Sequence, residues 1–480
     1  MTETGIHVSD ADIVFVNPPL NLVERYGKLA SSGSNAPPLG LAHLASMCRS
    51  RGYESVIIDA NASGFNHDQT VLEILKLNPR VIGITASTVS ILSAARIGDM
   101  IKKGDSGKPI VIGGPHATAV PEDTMERFPC FDVGVVGEGE ITVVELFQAI
   151  VGGGNLEDID GIVFRKGDSV KTNRKRNFVK DLDLLPMPAW DLLPALSQFY
   201  KPVSLSYQKL PSTSLITSRG CTGKCTFCDR KVFGNVCRCF SAEYLFQMVK
   251  ELYYTYGIRD ILFDDDNFVL FKGRLTEFCE MLSRSGLQIS WACNARVDLV
   301  DHETLELMAR SGCWQIAYGI ESGSQEILDV LNKGIRIAQI EDAIRMTRKA
   351  GIKSKGFFMA GSPLETKETL KRTLRLILDL PLDDFQITFF TPLPGCDLYD
   401  KVSVYGELEN DWSRMNMWYP VFVPHGLSRE ELISYSKRFF IRFYARPAVI
   451  RRYLQMLKNP GALNKLAVGV YSMLRYQIFG

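Results

Sequence analysis

The strongest constraint on this chain is a rhythm. Short runs of Val and Ile alternate with amphipathic stretches, and they do so in two separate series. ADIVFVNPP reads as a strand entering a proline turn, GLAHLASMCRSRGY has helical spacing with a Gly-Tyr stop, and SVIIDA is the next strand. The helix TVLEILKLN, the strand RVIGITAS, the helix ILSAARIGDMIKKG, the strands PIVIGGPH and DVGVVGEGE and the helix ITVVELFQAI follow. Short apolar strands separated by helices predict a parallel sheet covered on both faces, an α/β doubly wound Rossmann-like domain over residues 1–150.

Residues 151–205 break the rhythm. GGGN opens the stretch, a hairpin-like GIVFRKGDSVKTNRK follows, and DLDLLPMPAWDLLP is proline-rich, so a linker is expected there. Over 206–405 the alternation resumes. SLITSRG, ILFDDDNF, ISWACNARVD, QIAYGIESG, KSKGFFMAGSP and FQITFFTPLPG are the strand ends, which predicts a partial (β/α)6 barrel of the TIM type. Residues 406–480 are expected to form a helical C-terminal domain.

A net charge of +1 leaves no bulk field that would make nucleic acid the default partner. The N-terminal MTETGIHVSDAD is polar and acidic, unlike a signal peptide, and no uncharged apolar window is long enough to span a bilayer. Eleven cysteines in a chain of this length read as a reduced cytoplasmic pool rather than a disulfide scaffold. Cys48, Cys130, Cys279, Cys293, Cys313 and Cys396 are scattered and read as small buried hydrophobes.

Three cysteines stand apart. In SRGCTGKCTFCDR, Cys221, Cys225 and Cys228 follow a strand and a Ser-Arg-Gly turn, with only Thr222, Gly223 and Lys224 between the first two. Three thiolates on one loop suit three irons of a 4Fe-4S cluster and leave the fourth open to chemistry. The alternative is a tetrahedral zinc knot completed by Cys237, Cys239 or a histidine. The chain has six histidines, none within 60 residues of the trio, which favours the cluster.

The C-x3-C-x2-C spacing, with Phe227 before the last cysteine and the loop placed after the first barrel strand, resembles the radical S-adenosylmethionine superfamily. The resemblance implies that the open iron chelates S-adenosylmethionine and that the reduced cluster cleaves it to a 5′-deoxyadenosyl radical. GIESGSQEIL (319–328) resembles the family segment that contacts the methionine moiety and ribose, making Glu321 and Ser322 candidates. WACNARVD places Asn294 and Arg296 at another strand end, and FFMAGSPLET and TPLPGCDLY resemble the adenine-side turn and the closing strand. In FDDDNF, Asp264, Asp265 and Asp266 read either as substrate or cofactor ligands or as a helix cap with solvated charge.

The first domain offers NPPL, PPLGLA, TASTVS, GGPHA and GEGE at its strand ends and lacks both the dinucleotide and the Walker glycine motifs. Ahead of the cysteine trio these pieces resemble the cobalamin-binding domain joined to radical S-adenosylmethionine barrels. The resemblance implies cobalamin as a cofactor, with Thr85, Ser87, Gly113, Gly114, Gly137, Glu138 and Gly139 lining its site. The D-x-H-x-x-G motif that supplies a cobalt ligand is absent. His116 is the nearest substitute, against its plainer reading as a locally bonded turn residue.

Such an enzyme is expected to C-methylate a small or hydrophobic substrate, drawing electrons from an external donor of the flavodoxin or ferredoxin type. The alternative is radical cyclisation, rearrangement or oxidation of a lipid or tetrapyrrole, as in the anaerobic magnesium-protoporphyrin ester cyclases. A non-catalytic cobalamin or iron–sulfur carrier is the reading of another class. From Arg429 on, ten Lys or Arg against Glu430 and Glu431, interleaved with aromatics, suit either a helical cap on the barrel or a peripheral membrane anchor.

Overall fold

A computed structural model describes residues 11–27, 30, 33–200, 202 and 206–456. The chain forms two compact units. One holds the chain up to Asn21, then Pro37–Phe199 and Lys231–Phe233; the other holds Leu22–Ala36, Tyr200–Arg230 and everything from Gly234.

The first unit is built on a seven-stranded sheet. Its strands are β1 (Ile13–Asn17), β2 (Ser55–Asp59), β3 (Val81–Thr85), β4 (Ile110–Gly113), β5 (Val133–Val135), β6 (Ile162–Lys166) and β7 (Ser169–Thr172), in the order β2-β1-β3-β4-β5-β6-β7. β1 to β5 pair in parallel, as their near-continuous apolar content predicts for strands buried on both faces. The order reverses at β1 and β3, so a crevice opens at the carboxyl ends of those two strands.

The linker expected at 151–205 is not one. β6 and β7 form the hairpin seen in GIVFRKGDSVKTNRK, but β6 pairs antiparallel with β5 and extends the sheet, with Val163 opposite Gly134. Trp190 and Leu196, in the proline-rich stretch, are buried. β6, buried on both faces through Ile162, Val163 and Phe164, covers the β5 edge that would otherwise lie open.

The second unit is a curled parallel sheet of six strands: β8 (Ser212–Leu215), β11 (Asp260–Phe263), β12 (Ser290–Ala295), β13 (Cys313–Glu321), β14 (Lys353–Ala360) and β15 (Asp384–Phe389). They are ordered along the sheet as in the sequence, with β8 and β15 at its two edges, so the barrel is open as expected. A small antiparallel pair, β9 (Ser218–Arg219) and β10 (Arg238–Cys239), stands at the carboxyl end of β8. Phe263, Phe268, Phe278 and Trp291 stack and cross in one buried aromatic cluster that seats helix Lys272–Arg284 on the sheet.

The region after 405 is not purely helical. β16 (Gly406–Leu408) and β17 (Phe422–Pro424) pair antiparallel before helix Arg429–Tyr444 begins at a Ser428–Glu431 capping box. That helix caps the barrel edge. Phe439 and Phe443 are buried, and Phe385 of β15 packs against Phe440, Phe443 and Tyr444. Arg446 donates to the carbonyls of Ile377 and Leu380 at the end of helix Lys367–Asp379, and Arg452 to that of Asp383. These aromatics and arginines serve packing; residues 457–480, which carry the rest of the basic tail, lie outside the described residues.

Candidate active site at the cysteine loop

The carboxyl ends of parallel barrel strands are where such folds place chemistry. β9 and β10 form the two sides of a loop, Gly220–Cys237, that carries Cys221, Cys225 and Cys228. Its middle is tied to the C-terminus of helix Gln325–Val330, which follows β13. Thr226 N donates to Leu331 O (3.0 Å) and Asn332 Nδ2 donates to Lys224 O (2.8 Å). Its exit is tied to the segment after β15, where Leu398 N donates to Thr226 O and Arg230 pairs with Asp397. The segments that follow β13 and β15 therefore hold one loop.

Cys225 is buried, Cys221 half-buried and Cys228 exposed. The Gly223 amide donates to Cys221 Sγ at 3.3 Å. A Cβ at position 223 would lie 3.3 Å from Cys221 Sγ, 3.8 Å from Cys225 Sγ and 3.7 Å from Arg296 Nη1. The absent side chain thus leaves room beside two sulfurs, and three soft donors around such room fit an iron–sulfur cluster. A hydrogen bond from the Cys228 thiol draws the Cys225 thiol down to about 6; burial opposes this, and Lys333 and Arg296 assist. Cys228 moves the other way, being the partner that keeps the proton.

Among the described residues no three His, Cys, Asp or Glu side chains, the cysteine trio included, converge where one metal ion would sit. Burial, reinforced by Cys221 and Cys239, pushes the Cys237 thiol up to about 12, which keeps it protonated. All eleven cysteines are free, and the six scattered ones are buried.

The candidates on the later strands fall into place unevenly. Glu321 ends β13 with φ +65° and is 7% exposed; Lys333 Nζ, equally hidden, lies 2.6 Å from its Oε1. Lys333 carries no motif, and nothing in the sequence singled it out. Burial alone would lower its pKa, but Glu321 and Cys225 outweigh that and hold it charged. Arg296 makes a double ion pair with Asp298 and donates to Lys333 O at 3.0 Å. Ser322 faces inward, its hydroxyl shared with Thr373 Oγ1 and the Ser324 amide. Asn294 Nδ2 donates to Asp264 Oδ1 at 2.9 Å.

Of the three aspartates, Asp264 and Asp266 are exposed and Asp265 is buried. Burial raises the pKa of Asp265. Asp265 is neither a helix cap nor a solvated charge, since its carboxylate accepts from Thr217 and Ser218 at the root of the cysteine loop.

In the first unit, Thr85 and Gly113 end β3 and β4, beside the crevice, with exposed Ser87 just beyond Thr85. Gly114 has φ +94°, and a Cβ there would meet Thr85 Oγ1 at 2.7 Å and Ala86 O at 2.8 Å, so only glycine fits this turn. Gly137 N donates to Thr118 Oγ1 at 3.0 Å. The other two expected lining residues have internal roles. Glu138 is 7% exposed and accepts from Val179 N, while Gly139 lets Leu44 of helix Leu39–Ser50 approach within 3.1 Å of where a Cβ would stand. His116 is fully buried with Nδ1 3.2 Å from Thr88 Oγ1, and burial pulls its pKa down to about 4. That is the turn residue, not a ligand extended toward a cofactor. The glycine turns after β4 and β5 bring backbone rather than side chains to the carboxyl edge of the sheet, which suits a large flat ligand such as cobalamin.

Comparison with known proteins agrees with this division. Residues 27–147 match the B12 binding domain family, and residues 215–377 match the radical SAM superfamily. An uncharacterised methyltransferase of Pyrococcus horikoshii is 33% identical over 447 residues, covering 93% of this chain and 95% of its own. The anaerobic magnesium-protoporphyrin IX monomethyl ester cyclase of Cereibacter sphaeroides is 29% identical, over 91% of this chain and 71% of its own. Among solved structures, the radical S-adenosylmethionine methyltransferase TsrM of Kitasatospora setae superposes with a TM-score of 0.70 at 16% identity, covering 91% of this chain and 90% of that one. The cobalamin-dependent radical enzyme OxsB gives a TM-score of 0.71 at 21% identity, covering 98% and 72%.

Proposed function

Because the chain belongs to the radical S-adenosylmethionine superfamily, in the branch carrying a B12 binding domain, we propose that it is a cobalamin-dependent C-methyltransferase. The observation that carries this reading is the meeting of Arg296 and Lys333 at the cysteine loop. Three soft donors then share one face of the barrel with two ion pairs, Arg296–Asp298 and Lys333–Glu321. Cys221, Cys225 and Cys228 would hold the 4Fe-4S cluster, Arg296 and Lys333 would attract the carboxylate of S-adenosylmethionine, and Glu321 would accept from its amino group or ribose. When bound, the cluster supplies the electron that splits the sulfonium, and cobalamin carries the methyl group. Thr85, Ser87, Gly113, Gly114 and Gly137 line the cobalamin side. The carrier reading falls away with family membership, since the radical domain is present.

The substrate is a small or hydrophobic molecule, and the electrons come from a flavodoxin- or ferredoxin-type donor in the cytoplasm. Among the described residues no helix is long and apolar enough to cross a membrane. A peripheral membrane contact through the basic, aromatic C-terminal tail goes with a hydrophobic substrate. A second reading, radical cyclisation or oxidation of a tetrapyrrole, is favoured by the likeness to the ester cyclase over 91% of the chain.

The test is turnover of anaerobically reconstituted, cobalamin-loaded protein with methyl-labelled S-adenosylmethionine, a reductant and a small-molecule extract. Methylation predicts label in a product, with S-adenosylhomocysteine and 5′-deoxyadenosine rising together. Deoxyadenosine with an unlabelled, altered product selects the second reading, and absence of deoxyadenosine contradicts both.

A further inference from the structure

We propose that Asp265 is the positioning residue of the cysteine loop, fixing the backbone from which Cys221 departs and thereby whether the three thiols take up a cluster together. The inference rests on the cluster reading above. It starts from the middle acid of FDDDNF, which neither cofactor assignment uses.

Asp265 is 1% exposed at the carboxyl end of β11. Its Oδ1 accepts from Thr217 N and from Ser218 N (2.9 Å), and its Oδ2 accepts from Thr217 Oγ1 (2.6 Å). Arg274, 9% exposed, completes the clamp: its Nη1 donates to Thr217 O (3.0 Å) and Thr217 Oγ1 (3.1 Å), and its Nη2 lies 3.9 Å from Asp265 Oδ2. Phe240 N, beyond β10, also donates to Thr217 O (3.1 Å). Amide, carbonyl and hydroxyl of Thr217 are all engaged.

Taking two opposite charges out of water costs several kcal/mol per ion, and neutral groups suffice to satisfy an ordinary turn. Here both charges converge on one threonine, four residues before Cys221. Between them Ser218 and Arg219 are held by pairing with Cys239 and Arg238, so the segment has little slack to absorb a shift at its root. A displacement at Thr217 is therefore passed to the first thiol. The second and third thiols are anchored separately, through Thr226 to Val330 and Leu331, so their spacing from the first depends on this clamp.

Asp260 provides the control. It sits at the opposite end of the same strand, is 2% exposed, and accepts from Gln208 N (3.0 Å) and Ser290 Oγ, far from the cysteines in the strand direction. Asp265→Asn, Thr217→Val, Asp260→Asn and wild type are reconstituted anaerobically, challenged with an iron chelator, and followed by iron content and by the electron paramagnetic resonance signal of the reduced cluster. Outer partners of a metal site are worth about 10- to 100-fold in affinity, so Asp265→Asn should lose half its iron at about tenfold less chelator than wild type. Thr217→Val, which removes the hydroxyl bonds to Asp265 and from Arg274 but keeps the amide bond, should fall between, and Asp260→Asn should match wild type. Wild-type iron retention and an unchanged signal in Asp265→Asn overturn the proposal, as does equal loss in Asp260→Asn. If Asp265→Asn does not fold, Thr217→Val against Asp260→Asn decides in the same way. Wild-type protein that takes up no cluster overturns the cluster reading itself.

Discussion

Lys333 and Glu321 form a buried ion pair, Nζ to Oε1 2.6 Å, at the carboxyl end of the strand facing the cysteine loop. Removing one partner strands the other charge, which costs about 3–5 kcal/mol at a buried site. Lys333→Met should therefore lower the urea-unfolding free energy of cluster-free protein by about that much. The double variant Lys333→Met/Glu321→Gln should recover most of it. A single variant within about 0.5 kcal/mol of wild type would show the pair to be solvated.

Gly223 keeps the space beside two sulfurs. Gly223→Leu should fold, because the position is on a loop, yet should take up markedly less iron and sulfide on reconstitution. Gly107→Leu, on a surface turn far from the trio in sequence, is the matched control and should reconstitute normally.

Gly114→Ala should be costly in a different way. The added Cβ meets Thr85 Oγ1 and Ala86 O below 3.0 Å at a backbone φ of +94°, and strain of this kind costs about 1–3 kcal/mol. Thermal unfolding should fall accordingly, and cobalamin binding, read by absorbance of the gel-filtered protein, should weaken with it.

His116 gives the pH dependence. Its folded-state pKa is depressed from 6.5 to about 4, mainly by burial. The folded protein thus binds this proton less readily than the unfolded chain, so its contribution to stability is present above 6.5 and is lost as pH falls toward 4. The loss is on the order of 3 kcal/mol. His116→Asn should flatten the pH–stability curve across that window and leave the absorption spectrum of bound cobalamin unshifted. A spectral shift would make His116 a cobalt ligand after all.

Much of this was legible in the sequence because it is local. Val and Ile runs such as VIGIT and SVIID mark strands by themselves, and three cysteines within eight residues announce soft-metal chemistry. What was not legible depends on distant partners. GIVFRK and SVKT look like a free hairpin until Val163 is seen opposite Gly134. Lys333 has no motif, and its importance comes from Glu321, twelve positions away across helix Gln325–Val330. The three aspartates of FDDDNF are indistinguishable by composition, and only the fold buries the middle one against Thr217. The aromatics of the tail suit a cap and a membrane surface alike by composition, and only their packing on Phe385 assigns three of them to the cap.

The account depends most on the Cys221, Cys225 and Cys228 thiols sharing one cluster. Iron, sulfide and zinc should be measured on anaerobically reconstituted wild type and on Cys225→Ala. The expected result is about four irons and four sulfides per chain in wild type and almost none in the variant. One zinc without sulfide in wild type, or an undiminished cluster in Cys225→Ala, would contradict it.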